Sequence, residues 1–592
     1  MSQDKSSGQT GIDPKAKKAD DPTAPVISTP ALCSVVIDGR TIKFDITRIE
    51  LEQFVDDHHR LRLVIRETGQ FQTAQEFSSA IPYASFLGKA ISLAIKPQGG
   101  VVDAAKELGF VGLVTQVALA NSINGLNVGS ITAASPTIAL DGAGHNAFHH
   151  DKTASDIIGL IVRKYPLTIG SIDSTSGMIK FSVQYRETDY AYVMRLASEY
   201  GLFAVYDGKE FRAVKAGSSK NVELVWRESL GSFSLGLGTA ASEFMSDVYN
   251  YEQKSTYSQD TKSVPPQAAL SQLSKTSPDA SKAIYSDSGF AALPKVIADA
   301  QSLDHALARA KSQAMGRMII CTGQSIIPTV AVGGCVKIKG MGQIDGMYWV
   351  LTVRHLFDES GKYHNDFTCT PVDVAFPQPR AVRPPITGLQ PAVVVDNYDP
   401  DKMGRVKVKF PWLSADETSW VRYVATHAGK DRGWFVLPEI GDEVMVGFEQ
   451  GCPDLPVAFG SVYNKDDAPH SSTNDPKNSI KMMLTRGGNK ILLDDTDGKE
   501  KLTLVTKDGS HLTIDPVKPT ITLETKGDVA ISGDKITIKG SSITLDAQGD
   551  VKIKAAGNLN AEGSANTTIK GGVKTAIEGI MVEVKGTPIK LN

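Results

Sequence analysis

The sequence predicts a mainly β protein with a few short helices, a small β-barrel, and a C-terminal β-helix in which several chains intertwine. Three observations support this fold class. Apolar and polar residues alternate in several segments of the first half, short apolar strands crowd into residues 390–465, and residues 479–592 repeat a short strand-and-turn unit. At about 150 residues per domain, a chain of 592 residues is expected to form three to five domains.

Composition argues against several classes of protein. The 63 basic and 66 acidic residues give a net charge of −3, without the basic excess of a dedicated nucleic-acid binder. The five cysteines include no CxxC pair, so a disulfide scaffold or a cysteine-based zinc site is not expected. No run of 18 apolar residues predicts a membrane-spanning helix, and the N-terminal residues lack the apolar region of a classical signal peptide.

Residues 1–30 are rich in Pro, Ser, Asp and Lys, and we predict a disordered tail there. Ordered structure should begin near Leu32, with two strands joined by a turn at Asp38-Gly39. The alternating segment RLRLVIRET that starts at Arg60 predicts a further strand, and this β style continues to about Leu140.

Three short helices are predicted, over residues 153–164, 190–200 and roughly 297–318. Thr153 and Ser155 are candidate capping residues for the first helix, Asp156 lies early in it, and Gly201 is placed to end the second. The polar stretch 252–282 is predicted to be a loop within a domain that spans residues 31–375. A Pro-rich linker, residues 376–389, marks the boundary of that domain.

Residues 390–465 contain the short segments AVVVDN, RVKVKFPW, SWVRYVA, GWFVLP, EVMVGFE and PVAFGSVY. Five or six strands in so short a block predict a small closed barrel such as an OB-fold. Residues 466–478 would form a neck that leads into the repeat.

The first apolar residues of the repeated strands are Leu512, Ile521, Val529, Ile536, Ile543 and Val551, at intervals of nine, eight, seven, seven and eight. Each unit has one strand and one turn, which is too short for a single chain to wind back on itself, and a strand of four residues buries too little to stand alone. Three chains wound around a common axis solve this problem and leave few open sheet edges. A single-chain β-solenoid or an edge-paired sheet is the alternative. Alternation predicts that ten residues, here called the apolar row, point towards the axis: Ile514, Ile521, Val529, Ile531, Ile536, Ile538, Ile543, Leu545, Val551 and Ile553.

The block from Asp396 carries a family resemblance. It contains DP-x-x-x-GRV-x-V from Asp399, FPW, WVR, LPEIGDEV-x-V-x-F and G-x-PD-x-P in this order. This order resembles the OB-fold of VgrG-like spike proteins from type VI secretion systems, phage baseplates and extracellular contractile injection systems. Cys452 stands where the family usually has an acidic residue. The segments 183–208, 346–363 and 480–504 resemble the phage hub-like domain and the entry to the β-helix of the same family.

The resemblance implies a homotrimeric, non-enzymatic central spike that punctures the target envelope when a sheath contracts. The hub-like domain, built of β-barrels, would cap a hexameric tail tube and contact baseplate proteins. The OB-fold would form a collar and residues 479–592 a triple-stranded β-helix needle. A PAAR-type tip protein would bind at Pro588, Ile589, Lys590, Leu591 and Asn592, and effector cargo could be carried.

The resemblance also implies a place of action. The chain would be assembled in the cytoplasm without a signal peptide and then become part of a phage-tail-like particle that is released or delivered outside the cell. There it would touch the target membrane transiently. Neither a lysozyme insertion nor a C-terminal effector domain is expected, which favours an extracellular particle similar to the antifeeding-prophage type, with a compact type VI spike as the alternative.

Candidate chemical sites are few, and we predict no catalytic residue, metal or cofactor. The histidines at 58–59 and in GHNAFHHD are predicted to lie in surface loops rather than to bind metal, although a ring of His511 on a trimer axis is conceivable. The acidic pairs at 56–57, 466–467 and 494–495 lie in turn-like settings rather than a cleft, and Cys452 is expected to pack in a turn. Aromatic and basic residues of the OB-fold such as Trp412 and Arg405 could line a groove for single-stranded nucleic acid, but packing of the barrel is preferred.

Two other functions fit the same rod. A trimeric tail fibre or adhesin would bind a cell-surface receptor and would not bind a tail tube. An envelope-degrading enzyme would hydrolyse peptidoglycan.

Overall fold

The computed structural model describes residues 27–42, 45–67, 81–98, 107–120, 127–218, 221–265, 269–291, 293, 297, 299–378, 385–413 and 417–590. The chain forms two compact units, Met1–Ala468 and Pro469–Asn592. The described residues confirm a mainly β protein with a few short helices. Within these residues, no helix is both long enough and apolar enough to cross a bilayer.

The first unit is organised around a closed ring of eight strands. These strands, with the short hairpin strand β2, are β1 (Thr29–Ile37), β2 (Arg40–Thr41), β3 (Asp45–Phe54), β4 (Arg60–Glu67), β5 (Ala90–Pro97), β6 (Leu108–Ala120), β7 (Asn127–Ala134), β20 (Gly346–Asp358) and β21 (Lys362–Pro371). The ring order is β20-β3-β4-β7-β6-β5-β1-β21, and β21 pairs again with β20. Alternating residues from these strands fill the interior, because successive side chains point to opposite faces of a sheet. At the predicted turn, Asp38 and Gly39 both have positive φ, as a tight hairpin requires.

A second group of strands extends from the same long hairpin. It consists of β13 (Asn221–Val225), β14 (Leu230–Leu237), β18 (Ile319–Ser325) and β19 (Cys335–Lys339). The strand β19 pairs with β20 and β18 pairs with β21, so the β20–β21 hairpin belongs to both groups and holds a separate apolar core on this side.

Two predicted helices pack beside these sheets as α1 (Ala154–Val162) and α2 (Asp189–Glu199). Thr153 and Asp156 form the full capping box of α1, and Gly201 has the positive φ of a residue that ends a helix. The strands nearby are β8 (His145–Lys152), β9 (Ile169–Ile172), β10 (Ile179–Glu187), β11 (Phe203–Tyr206) and β12 (Phe211–Val214).

The sequence predicts a loop over the polar stretch 252–282, but the structure has a strand and a helix there. The small layer at this position contains β15 (Phe244–Asn250), β16 (Ser255–Asp260), β17 (Gly289–Phe290), α3 (Gln272–Ile284) and the third predicted helix, α4 (Ala300–Met315). Serine hydrogen bonds replace apolar anchoring in α3: Ser271 caps the helix, and the Ser274 hydroxyl donates to Asp373 Oδ1 at 2.7 Å. That carboxylate is remote in sequence, so composition gave no sign of it.

The OB-fold contains the five-stranded order β23-β22-β27-β28-β24. Its strands, with a short hairpin, are β22 (Gln390–Asp396), β23 (Lys407–Lys409), β24 (Arg422–Tyr423), β25 (Ala428–Gly429), β26 (Arg432–Gly433), β27 (Glu443–Phe448) and β28 (Pro456–Ser461). A bridge between Val406 and Val421 connects its two ends. The predicted strand GWFVLP is wrong: beyond Gly433 it forms no ladder, and Trp434 and Phe435 are 55% and 79% exposed.

The second unit begins with a meander of five antiparallel strands. They are β29 (Ile480–Leu484), β30 (Lys490–Asp494), β31 (Lys501–Val505), β32 (His511–Asp515) and β33 (Thr520–Glu524). Single turns of 3-10 helix occur elsewhere at Ile81–Phe86, Pro136–Leu140, Gly342–Ile344, Glu449–Gly451 and Ser471–Thr473.

Candidate assembly surface

One face of the C-terminal meander is continuously apolar. Each strand from β30 to β33 contributes two apolar side chains separated by one residue, and the register places them opposite one another in two lines across the sheet. We call these eight residues the apolar face: Ile491, Leu493, Leu502, Leu504, Leu512, Ile514, Ile521 and Leu523. These eight residues thus form one surface, and Leu492 lies on the other side in line with Thr503, Thr513 and Thr522.

The meander alone does not bury this apolar face. A single sheet layer needs a second layer to remove its apolar side from water. Within this chain, exposure remains 41% for Ile514, 59% for Leu523 and 74% for Ile521. An exposed apolar patch of this kind marks an interaction surface. Only Leu512, Ile514 and Ile521 were predicted from the sequence, although Leu502 and Leu504 alternate with Thr503 in KLTLV.

Beyond Glu524 the repeat makes no ladder within its own chain. Residues 525–590 are all described and form no strand, and every residue from 526 to 590 is exposed. The apolar row continues through this segment, with Ile538 68% and Leu545 72% exposed. Backbone N–H and C=O groups need partners when they are buried, so a buried rod here would require strands from other chains. Whether the apolar row lies on an axis stays a prediction.

His511 lies on the other side of this sheet. It alternates with Leu512 in β32, so its side chain is on the face opposite the apolar one. Its ring Nε2 is 3.7 Å from Glu524 Oε2 across the ladder. If the apolar face points to an axis, His511 points away from it, which speaks against the axial histidine ring.

The described residues include only the first three positions of the proposed tip segment. Pro588, Ile589 and Lys590 are exposed, whereas Leu591 and Asn592 lie outside the described residues. The tip contact remains a prediction.

In the first unit, the OB-fold shares an apolar core with the strands β8 and β10. Phe148 and Phe181 from these strands pack with Phe410 of the barrel, and the Phe148 and Phe410 ring centroids are 6.4 Å apart. Trp412 stacks on Phe410 at 4.8 Å, and the Val183 backbone N–H donates to Asp454 Oδ1 at 2.7 Å. Packing against the barrel, as predicted, is therefore the observed role of Trp412.

An ionic network secures the same junction. Arg405 is 4% exposed and its guanidinium donates to Asp399 Oδ2 and Oδ1 at 3.0 and 2.8 Å, and to Glu252 Oε1 at 3.3 Å. Burial opposes ionisation of Asp399, but the Arg405 guanidinium and backbone N–H groups outweigh it and lower the pKa of Asp399 to about 2. The guanidinium is therefore engaged within the protein and is not offered to a phosphate.

The histidines do not lie in surface loops, which corrects the sequence-based prediction. His58 and His59 are 6% and 0% exposed, and His145 to His150 lie in strand β8. Burial lowers the pKa of His59 to about 3. The closed ring brings distant residues around this position, which no local pattern signals. In the described ranges, no three His, Cys, Asp or Glu side chains are grouped to hold a metal ion.

Cys452 is buried in its turn, as predicted. Asp56, Asp57, Asp466 and Asp467 lie outside strands, whereas Asp494 ends β30.

Two family models match this arrangement. Residues 67–361 match the phage tail baseplate hub (GPD), and residues 390–463 match the type VI secretion system/phage-baseplate injector OB domain. These matches define a baseplate hub followed by an injector OB domain, in the order in which the two folds occur in the first unit.

Curated relatives agree. The type VI secretion system spike protein VgrG1a of Pseudomonas aeruginosa is 24% identical over 367 residues, covering 55% of each chain. The spike protein VgrG1b of the same organism is 32% identical over 172 residues, covering 25% of this chain and 23% of that protein. The chain thus matches about half the length, or less, of these relatives. A solved chain of the Francisella PdpA–VgrG complex, half-lidded, shares the fold with a TM-score of 0.53 and 9% identity over 84% of this chain and 89% of that one. Together the two family matches and these relatives support a VgrG-like spike protein.

Proposed function

We propose that this chain is the central spike of a contractile injection machine, and that it acts mechanically rather than as an enzyme. The hub domain would cap the tail tube, and three copies of residues 479–592 would wind into a needle that punctures the target envelope. The single observation that carries this proposal is the exposed apolar face, which continues into residues without a ladder in their own chain.

Three copies would provide the strand partners and the apolar cover that the C-terminal segment does not find in its own chain. In a wound trimer, strands of the other chains would pair with residues 525–590, and the apolar row would meet its own copies near the axis. A rod held by ladders from three chains resists local separation, which suits the transmission of force along its length. The junction between hub and OB domain also suits this role, since Arg405 and the shared aromatic core make them one mechanical body.

The partners follow from the same proposal. They are two further copies of the chain, a hexameric tail-tube protein, baseplate proteins, and a PAAR-type tip protein at residues 588–592. The chain would be assembled in the cytoplasm and leave the cell within a phage-tail-like particle, and contact with the target membrane would be transient.

The test separates the two units. The full chain and a version ending at residue 468, which is the boundary between the compact units, are each mixed with purified tail-tube protein from the same gene cluster. We expect both to bind the tube and only the full chain to form a denaturant-resistant trimer. A trimer without affinity for the tube would favour the fibre or adhesin and contradict the spike.

A further inference from the structure

Two cysteines face each other inside the hub domain. Cys321 lies in β18 and Cys369 in β21, and the antiparallel register pairs them directly. Both are free thiols, both have no solvent exposure, and both belong to the same apolar cluster. They therefore lie on the same face of the sheet, one strand apart.

The pairing meets the separation that a disulfide needs. Directly opposed residues in antiparallel strands have Cα atoms about 4.5 or 5.5 Å apart, and disulfides span about 4.4–6.8 Å. Burial, followed by the neighbouring Cys321 thiol, raises the pKa of Cys369 well above its usual value, so the Cys369 thiol is held protonated.

The other three cysteines have different surroundings. Cys335 is buried in β19 opposite Trp349, Cys33 lies in β1 opposite Ile95, and Cys452 lies in an OB-domain turn. Among the described residues, directly opposed cysteines thus occur only between β18 and β21, where the second group of strands joins the β20–β21 hairpin.

We propose that Cys321 and Cys369 form a cross-strand dithiol that a hydroperoxide converts into a disulfide. One thiol loses its proton, and the thiolate attacks a peroxide oxygen. The O–O bond breaks, the sulfur becomes a sulfenic acid, and the departing hydroxide or alkoxide takes up the proton and leaves as water or an alcohol. The sulfur of the second thiol then attacks the sulfenic sulfur, and the hydroxyl group leaves with the thiol proton as a second water. Two thiols and one peroxide give one disulfide, and each sulfur loses one electron.

Burial makes this reaction slow, because thiolates form rarely and the oxidant enters only when the strands open locally. The bond would accumulate during prolonged oxidant exposure and would link β18 to β21 across the segment 322–368. Only the time at which the disulfide forms rests on the proposed function, because a particle that is delivered outside the cell has left the reducing cytosol.

The experiment uses the reduced full-length chain treated with hydrogen peroxide. The remaining thiols are alkylated after denaturation, and peptides are mapped by mass spectrometry without reduction. We expect a linked Cys321–Cys369 peptide that disappears on reduction, and a higher thermal unfolding temperature of the hub after oxidation. Met178, which is 67% exposed, reports in the same sample that the peroxide has reacted.

Matched variants test the pair. Cys321→Ser and Cys369→Ser should each abolish the linked peptide and the rise in unfolding temperature, whereas Cys335→Ser should retain both. Two results would overturn the proposal in a sample whose Met178 is oxidised. In the first, both cysteines are still alkylated and therefore stayed reduced; in the second, each has become a separate sulfinic acid. Mapping of the unsubstituted chain decides the matter even where a variant folds poorly. Neither outcome affects the trimer or its tube binding, which test the proposed function.

Discussion

Replacing Ile538 with Asp tests the inward orientation of the apolar row. Ile538 is 68% exposed in the single chain, so a wound trimer could bury about two-thirds of a side chain whose full burial contributes roughly 1.5–3 kcal/mol. The lost apolar burial then amounts to about 1–2 kcal/mol per chain, or about 3–6 kcal/mol per trimer. Three carboxylates brought close to an axis would each add several kcal/mol of desolvation, and their mutual repulsion would add more. The total cost is on the order of 10 kcal/mol or more per trimer.

Thr537→Asp is the matched control, because it adds the same charge to the same strand on the opposite face. Both variants are followed by thermal unfolding and by molar mass in solution. We expect Ile538→Asp to lower the unfolding temperature of the needle sharply or to abolish the trimer, and Thr537→Asp to change little. An unchanged trimer with Ile538→Asp, or equal damage from both variants, would refute the assignment of faces.

Two further predictions concern the first unit. Arg405→Met leaves the buried Asp399 carboxylate without its guanidinium and should lower the free energy of unfolding by about 3–5 kcal/mol. The control Arg422→Met removes an exposed ion pair and should lower it by about 0–1 kcal/mol. Urea unfolding of both variants measures the difference, and equal losses would contradict the network. Burial lowers the pKa of His59 and of His355 from 6.5 to about 3, so the unfolded chain binds more protons between these pH values and stability falls as pH falls. Each histidine should contribute about 1.4 kcal/mol per pH unit to the slope of the free energy of unfolding against pH. His355→Gln should reduce this slope by that amount between pH 6 and pH 5. An unaltered slope would show that His355 titrates normally.

Features set by local chemistry could be predicted from the sequence. The Asp38-Gly39 hairpin was predicted and Thr153 was a predicted capping candidate, because turns and helix ends depend on neighbouring residues. The order of motifs after Asp396 likewise identified the OB domain that the family match confirms.

Features set by distant contacts could not be predicted in this way. His59 is buried because the ring of eight strands closes around it, and α3 is anchored by Asp373 from far along the chain. The exposed Trp434 was assigned to a strand because its apolar neighbours resemble one, yet no strand among the described residues pairs with it. For the candidate surface, alternation gave the apolar positions of β32 and β33, but their exposure only appears once the meander is formed.

The most direct test of the spike proposal is the molar mass of the purified full-length chain, measured by size-exclusion chromatography with light scattering before and after mild denaturant. A needle of three wound chains predicts a mass close to three times 63.4 kDa that persists in the denaturant. A folded monomer under both conditions would contradict the three-chain needle and would require another cover for the apolar face.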